Sequence, residues 1–387
     1  MTETLIDRRR LLAGAGAAAL AGCGEGEQVR TGSASRQGLK PIDLSLDSLM
    51  RITVCVRPFR PVGPRLDVEA LGAKTLVHSY GHGGSGWSLA WGSAEAAAAL
   101  VLETSPASVA VVGAGAIGLT LATLIQRTGV PTTIYANEFP AETRSARATG
   151  VWSPDSRIAL APRAAPGFPE RWEALARRSY ARHLQYVGLA GAPVEFTPQF
   201  YVPAEEGWSR PEPEREDDFL HMRRRLAGLA PPWSDIAPED HPFTTTETPR
   251  GGLGMVFNVA EYAHRLMTDF LLMGGAMVRR SFQEPADLAA LAQPVVANCT
   301  GYGARLLFGD ESLVPVRGQI GWLAPQTDRL YGVFHKQTSI LSRRDGVVVQ
   351  YVGPNDYFGY GIEDETPDRE ETVRAIKRVA PLFAPAA

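Results

Sequence analysis

Hydrophobic positions along the chain fall into short runs whose spacing predicts strands alternating with helices. Residues 51–56 alternate apolar and polar as a half-buried strand does, then meet Arg57-Pro58-Phe59-Arg60-Pro61, whose prolines remove ladder donors and end regular pairing. Residues 76–80 form a second strand, followed by Gly81-His82-Gly83-Gly84-Ser85-Gly86 and an alanine-rich helix over 89–103. Residues 108–112 read as a buried strand, 119–129 as a helix and 132–135 as the next strand, a compact βαβ unit. Beyond it the pattern predicts a helix over 261–273, an extended stretch over 277–282, strands over 295–299, 317–322 and 346–351, and an amphipathic helix over 366–380.

Two stretches fall outside this periodicity. In the first, Arg8-Arg9-Arg10 precedes an apolar run of alanine and glycine at 13–22, too short to span a bilayer, as in a twin-arginine export signal. Leu20-Ala21-Gly22-Cys23 resembles a lipobox, so the signal over 1–23 predicts an extracytoplasmic protein that is lipid-anchored through Cys23; plain cleavage with Cys23 discarded is the alternative. Residues 24–44 read as a flexible tether, with order beginning near Ser45. The second, residues 203–215, is acidic and proline-rich and reads as a solvated loop.

Composition adds bounds. At 387 residues the chain is long enough for about two domains, and a net charge of -3 without a basic region gives no footprint for nucleic acid. Cys55 and Cys299 lie in apolar runs and read as buried core thiols.

The βαβ unit carries the first chemistry. A helix N-terminus offers unpaired N–H groups and a positive dipole end to a pyrophosphate, provided nothing bulky blocks the approach. Gly113 allows the tight turn, Gly115 the approach of the phosphates, and Gly118 the packing of helix on strand. Asn137 and Glu138, at the end of the next strand, are placed to hold ribose hydroxyls. This pattern alone suits FAD or NAD. The second glycine turn, 81–86, favours a long ligand whose ring system needs main-chain contact; His82 within it reads as a structural side chain beneath the loop.

Several motifs together resemble the D-amino acid oxidase family of FAD enzymes: Val112-Gly113-Ala114-Gly115-Ala116-Ile117-Gly118-Leu119, the stretch 143–152, Asn298-Cys299-Thr300-Gly301, Arg317-Gly318-Gln319, Arg57-Pro58-Phe59-Arg60-Pro61 and Tyr80-Gly81-His82-Gly83-Gly84. The likeness covers about residues 50–383, with the family's closing elements placed first, as in a circular permutation.

The resemblance implies an α/β fold with an α+β substrate part: a Rossmann-like FAD-binding domain (64–152 and 245–305) and a substrate domain with a mixed or antiparallel sheet (45–63, 153–244 and 306–387). It implies that Gly113, Gly115, Ala116, Ile117 and Gly118 hold the pyrophosphate, that Thr143, Arg144 and Ser145 continue along the cofactor, and that Thr149, Gly150 and Val151 approach the flavin. Phe282 and Thr300 would lie by the adenine side, and Gly83, Gly84, Ser85, Gly86, Trp87 and Ser88 by the isoalloxazine. Arg57 matches the arginine that pairs with a substrate carboxylate, and Gly84 would offer its carbonyl to the amine. Where the family has substrate tyrosines, the nearest matches are His335 and Ser339, with Tyr331 the closest tyrosine. The implied reaction is oxidative deamination of a D-amino acid, with hydride passing from Cα to flavin N5, an imine that hydrolyses to a 2-oxo acid and ammonia, and O2 reduced to hydrogen peroxide. A glycine or secondary-amine oxidase, an amine dehydrogenase and a non-catalytic FAD lipoprotein remain alternatives.

Overall fold

Val109–Val112 is buried at every position, as a strand covered on both faces must be. In the computed structural model, which describes residues 38–204, 218–230 and 232–384, this strand lies inside a six-stranded sheet. The signal, Cys23 and most of the acidic loop lie outside the described residues. Along the chain, β1 (Leu49–Phe59), β2 (Arg65–Leu71) and β3 (Lys74–Tyr80) lead into α1 (Gly86–Glu103), β4 (Val109–Val112), α2 (Ala116–Arg127) and β5 (Thr132–Ala136). Next come α3 (Phe168–Leu184), β6 (Val194–Tyr201), β7 (Ser234–Asp235), β8 (Arg250–Phe257), α4 (Val259–Leu272), β9 (Ala276–Arg279), α5 (Pro285–Ala289) and β10 (Val295–Asn298). The chain continues through α6 (Ala304–Phe308), β11 (Val314–Leu323), β12 (Gly332–His335), β13 (Thr338–Arg343), β14 (Gly346–Tyr351) and α7 (Arg369–Val379).

The first sheet runs β2-β3-β10-β4-β5-β9, parallel except for the antiparallel edge β2. Alternation splits its apolar residues between two cores. Val109, Val111, Ile134 and Ala297 pack with Leu89, Leu121, Ile125 and Leu266 of the long helices, while Ala110, Val112 and Val296 pack with Leu288 and Leu307 of α5 and α6.

The second sheet runs β1-β11-β14-β13-β12-β6-β8-β7, antiparallel except where β12 meets β6. One face, with Val333, Ile340, Val347 and Val349, is covered by Ala375, Ile376 and Val379 of α7. That helix starts where Asp368 accepts the Glu371 N–H, with Glu370 and Glu371 in its first turn and Lys377 and Arg378 in its last, each sign facing the favourable dipole end. The opposite face carries Ile320, Trp322, Leu341 and Val348, packed with Val256 and Val151.

The architecture is the expected α/β arrangement with a mixed second sheet. Two boundaries move. β8 pairs with β6 in the second sheet, so residues 250–257 depart from the expected 245–305 segment of the FAD-binding domain. Residues 40–44, expected to belong to a flexible tether, are packed on the body: Ile42 and Leu44 are buried, and the Tyr331 hydroxyl accepts the Ile42 N–H and donates to the Lys40 carbonyl.

Candidate active site

A cavity of about 570 Å³ opens where the parallel strands end. Residues 79–84 at the end of β3, 112–117 at the end of β4, 135–138 at the end of β5, 280–283 after β9 and 299–303 after β10 all line it. The carboxyl ends of parallel strands are where open α/β sheets bind ligands, because turns and helix N-termini converge there. Arg57, Arg144, Arg147 and Arg280 line it against one carboxylate, Glu138, which suits an anionic ligand.

The phosphate turn has the geometry its glycines predict. Gly113 sits at φ +108°, where a Cβ would fall 2.4 Å from the Cys299 carbonyl oxygen; one on Gly118 would fall 2.0 Å from the Gly113 oxygen. Both are glycine for close packing, and Gly118 itself does not line the cavity. At Gly115 the nearest atom to a Cβ is Ser145 Oγ at 3.0 Å, so this residue keeps the approach to α2 open. The Ala116 N–H donates to that same Ser145 Oγ, and the first turn of α2 carries no acid to compete with a phosphate.

Around this turn the remaining predicted cofactor residues assemble. Asn137, Glu138, Phe282 and Thr300 line one end, with Arg280 over the Phe282 ring. Thr143, Arg144, Ser145, Thr149, Gly150 and Val151 line the other side, although the Arg144 guanidinium is held by Glu365 at 2.5 Å. The 81–86 turn is fastened to this segment. Trp87 Nε1 donates to the Ser145 carbonyl, the Ser153 N–H to Ser88 Oγ, and the Gly84 N–H to the Ser156 carbonyl. Gly83, Gly84, Gly86, Trp87 and Ser88 line the cavity. Ser85 does not: its hydroxyl turns away to the Ser153 carbonyl. His82 is buried with Nε2 2.9 Å from Ser93 Oγ, and burial lowers its pKa to about 4, so it acts as a neutral structural group.

Arg57 reaches the cavity beside this loop. Gly83 donates to the Pro58 carbonyl and Phe59 bridges His82, which draws the end of β1 against the glycine turn. The guanidinium lies over Gly318 of β11, with Nη1 3.3 Å from the Arg317 carbonyl oxygen. Cys55, Ile320 and Val151 complete the wall. Cys55 is therefore half-buried at the cavity and not a core thiol; Cys299 is buried, and both are free.

The expected tyrosine substitutes do not form part of this wall. Residues paired across strands share a face, and His335 pairs with Thr338, which places it with Val333, Ile340 and Val349 on the α7 side. Its Nδ1 lies 3.0 Å from the Val202 carbonyl oxygen. Phe334, opposite Ser339, shares the Arg57 face. Ser339 lies on that face but three strands from β1, outside the lining. Tyr331 is fully buried, where it secures the segment before β1. Sequence reasoning had not singled out Ile320, Arg147 or Arg280; the first follows Arg317-Gly318-Gln319 directly, while the arginines had no distinguishing local signal.

The cradle fits an FAD: two backbone-accessible glycine turns, an open helix N-terminus and four arginines, two of them (Arg144 and Arg147) paired with Glu365, surround one cavity. The family model and the sequence relatives agree. The family model of the DAO FAD-dependent oxidoreductases matches residues 108–387. A D-amino-acid oxidase of Dictyostelium discoideum is 25% identical over 293 residues, 71% of this chain and 73% of that protein. One of Rubrobacter xylanophilus is 30% identical over 220 residues, covering 55% and 58%. Among solved structures, glycine oxidase from Geobacillus kaustophilus is 15% identical with a TM-score of 0.49, covering 71% of this chain and 77% of that one. The chain belongs to the DAO family of FAD-dependent oxidoreductases, with FAD as its cofactor.

Proposed function

We propose that this enzyme oxidatively deaminates a D-amino acid. The observation that carries the reading is the Arg57 guanidinium, seated on Gly318 in the cavity wall next to Gly83 and Gly84. Its planar donors pair with both oxygens of a carboxylate, fixing one end of the substrate. The Gly84 carbonyl would accept a hydrogen bond from the amine, and together the two contacts orient Cα. Ile320 and Val151 present apolar surface that keeps water from the reacting carbon. FAD, when bound, would supply the hydride acceptor, with O2 as the terminal oxidant and hydrogen peroxide as its product. The released imino acid hydrolyses to a 2-oxo acid and ammonia. The sequence relatives named D-amino-acid oxidase support a D substrate.

The reading extends to organisation and place. A permuted order is supported by a family match that begins at residue 108, after Arg57 and the 81–86 turn. The FAD-binding part then comprises the first sheet and its helices, and the substrate part the second sheet. The sequence at 7–23 supports twin-arginine export and a lipid anchor at Cys23. No helix among the described residues is long and apolar enough to cross a membrane.

The test is a peroxide and ammonia assay of the purified protein with D-amino acids, L-amino acids, glycine and sarcosine. Turnover of D-amino acids with stoichiometric peroxide is expected. Turnover confined to glycine or sarcosine, or electrons delivered only to a dye, would replace this reading with the secondary-amine or dehydrogenase one.

A further inference from the structure

Arg343, at the end of β13, is only 1% exposed, yet it does not line the cavity and belongs to none of the motifs above. Both edges of its guanidinium are used. Nε and Nη2 donate to the two carboxylate oxygens of Asp345 at 2.8 and 2.5 Å, while Nη1 donates to the carbonyls of Ala148 and Thr149, both at 3.0 Å. The plane lies 4.9 Å from the centre of the Trp322 ring, and Trp322 is itself fixed through Nε1 to Thr53 Oγ1.

The two carbonyls belong to the segment that lines the ring end of the cavity. In a trans peptide the C=O and the following N–H point in opposite directions. Holding the Ala148 and Thr149 carbonyls on Arg343 therefore turns the Thr149 and Gly150 N–H groups away from Arg343. The Gly150 carbonyl accepts the Phe257 N–H at 2.7 Å, which orients the Val151 N–H in the same manner. None of these three N–H groups donates to a protein acceptor among the described residues. Gly150 adopts φ +91°, and a Cβ there would lie 2.5 Å from the Phe257 oxygen and 2.9 Å from Arg343 Nη1, so the clamp also explains this glycine.

We propose that Arg343, anchored by Asp345, is a positioning residue that presents the N–H groups of Thr149, Gly150 and Val151 to the flavin ring. Donors aimed at the ring stabilise the added electron density of the reduced flavin, so the clamp raises flavin affinity and reduction potential. The inference rests on FAD occupying this cavity. Only arginine supplies a bidentate edge and a separate donor in one plane; lysine keeps the charge but not the fork.

The experiment compares the purified holoenzyme with Arg343→Lys, Asp345→Asn and, as a control, Arg344→Met, whose exposed side chain lies on the same hairpin as Arg343 and pairs with Glu195 of β6. Melting temperature, visible flavin spectrum, FAD dissociation constant and flavin midpoint potential are measured. Arg343→Lys should bind FAD at least tenfold more weakly, with a shifted spectrum and a lower potential. Asp345→Asn should move all three in the same direction by less, and Arg344→Met should leave them unchanged. If Arg343→Lys fails to fold, Asp345→Asn decides. A fall in melting temperature with spectrum, affinity and potential unchanged would reduce Arg343 to a stability role and overturn the proposal. Wild-type protein that cannot take up FAD would instead overturn the cofactor placement beneath it.

Discussion

Arg57 and Gly318 share one space: a Cβ on Gly318 would lie 2.2 Å from Nη2 and 2.5 Å from Cζ of Arg57. The glycine of Arg317-Gly318-Gln319 thereby sets where the guanidinium that we propose binds the substrate carboxylate rests. Gly318→Ala should push the guanidinium off its seat and weaken carboxylate binding by about 1.5–3 kcal/mol, or roughly ten- to 150-fold in KM, with flavin content unchanged. Arg57→Ala should cost at least as much. Steady-state kinetics with flavin quantification checks both; a Gly318→Ala enzyme with an unaltered KM would show that Arg57 does not hold the carboxylate.

The phosphate turn separates folding from binding. Gly118→Ala places a methyl 2.0 Å from the Gly113 oxygen and should impair folding outright. Gly115→Ala places a Cβ whose nearest neighbour is the movable Ser145 side chain, so it should fold but bind FAD more weakly. Circular dichroism and FAD titration of the two variants distinguish these outcomes.

The contrast between these glycines and the tyrosine substitutes shows what was legible in the sequence. Residues 109–119 announce themselves locally, because a buried strand, three spaced glycines and an apolar helix lie within one βαβ unit. Positions in the second sheet depend on register, and a slip of one residue reverses every side chain. His335 precedes a two-residue turn, Lys336-Gln337, with φ of +45° and +52°, and nothing in that dipeptide signals a turn normally made by asparagine and glycine. The face of His335 was therefore unreadable. Likewise Arg343 and the Tyr331 contacts to Lys40 and Ile42 join residues far apart in the chain, which no local pattern encodes.

Beneath Trp87 lies a buried polar chain. Trp91 Nε1 donates to the Tyr262 hydroxyl at 2.7 Å, and His183 Nδ1 is 2.8 Å from the same oxygen. Tyr262→Phe would strand both nitrogens in the core and should lower stability by about 1–3 kcal/mol, read as a fall in melting temperature. An unchanged melting temperature would show that the chain contributes nothing.

Two buried imidazoles make stability depend on pH. Burial lowers His82 to about 4 and His183 to about 3 from the ordinary 6.5. The unfolded chain therefore takes up protons that the folded protein refuses, so stability is full above about pH 6.5 and falls on acidification toward the folded values, by about 1.4 kcal/mol per pH unit per group. Urea midpoints should drop between neutral and mildly acidic pH, and His82→Gln should flatten that slope. An identical slope in the variant would remove His82 from the account.

The most direct test of a D-amino-acid-oxidising flavoprotein is anaerobic mixing of the purified holoenzyme with paired D and L enantiomers while its visible flavin absorbance is followed. The account predicts that the absorbance bleaches with D-amino acids and stays unchanged with their L partners. Bleaching by the L enantiomers alone, or by neither, would contradict it.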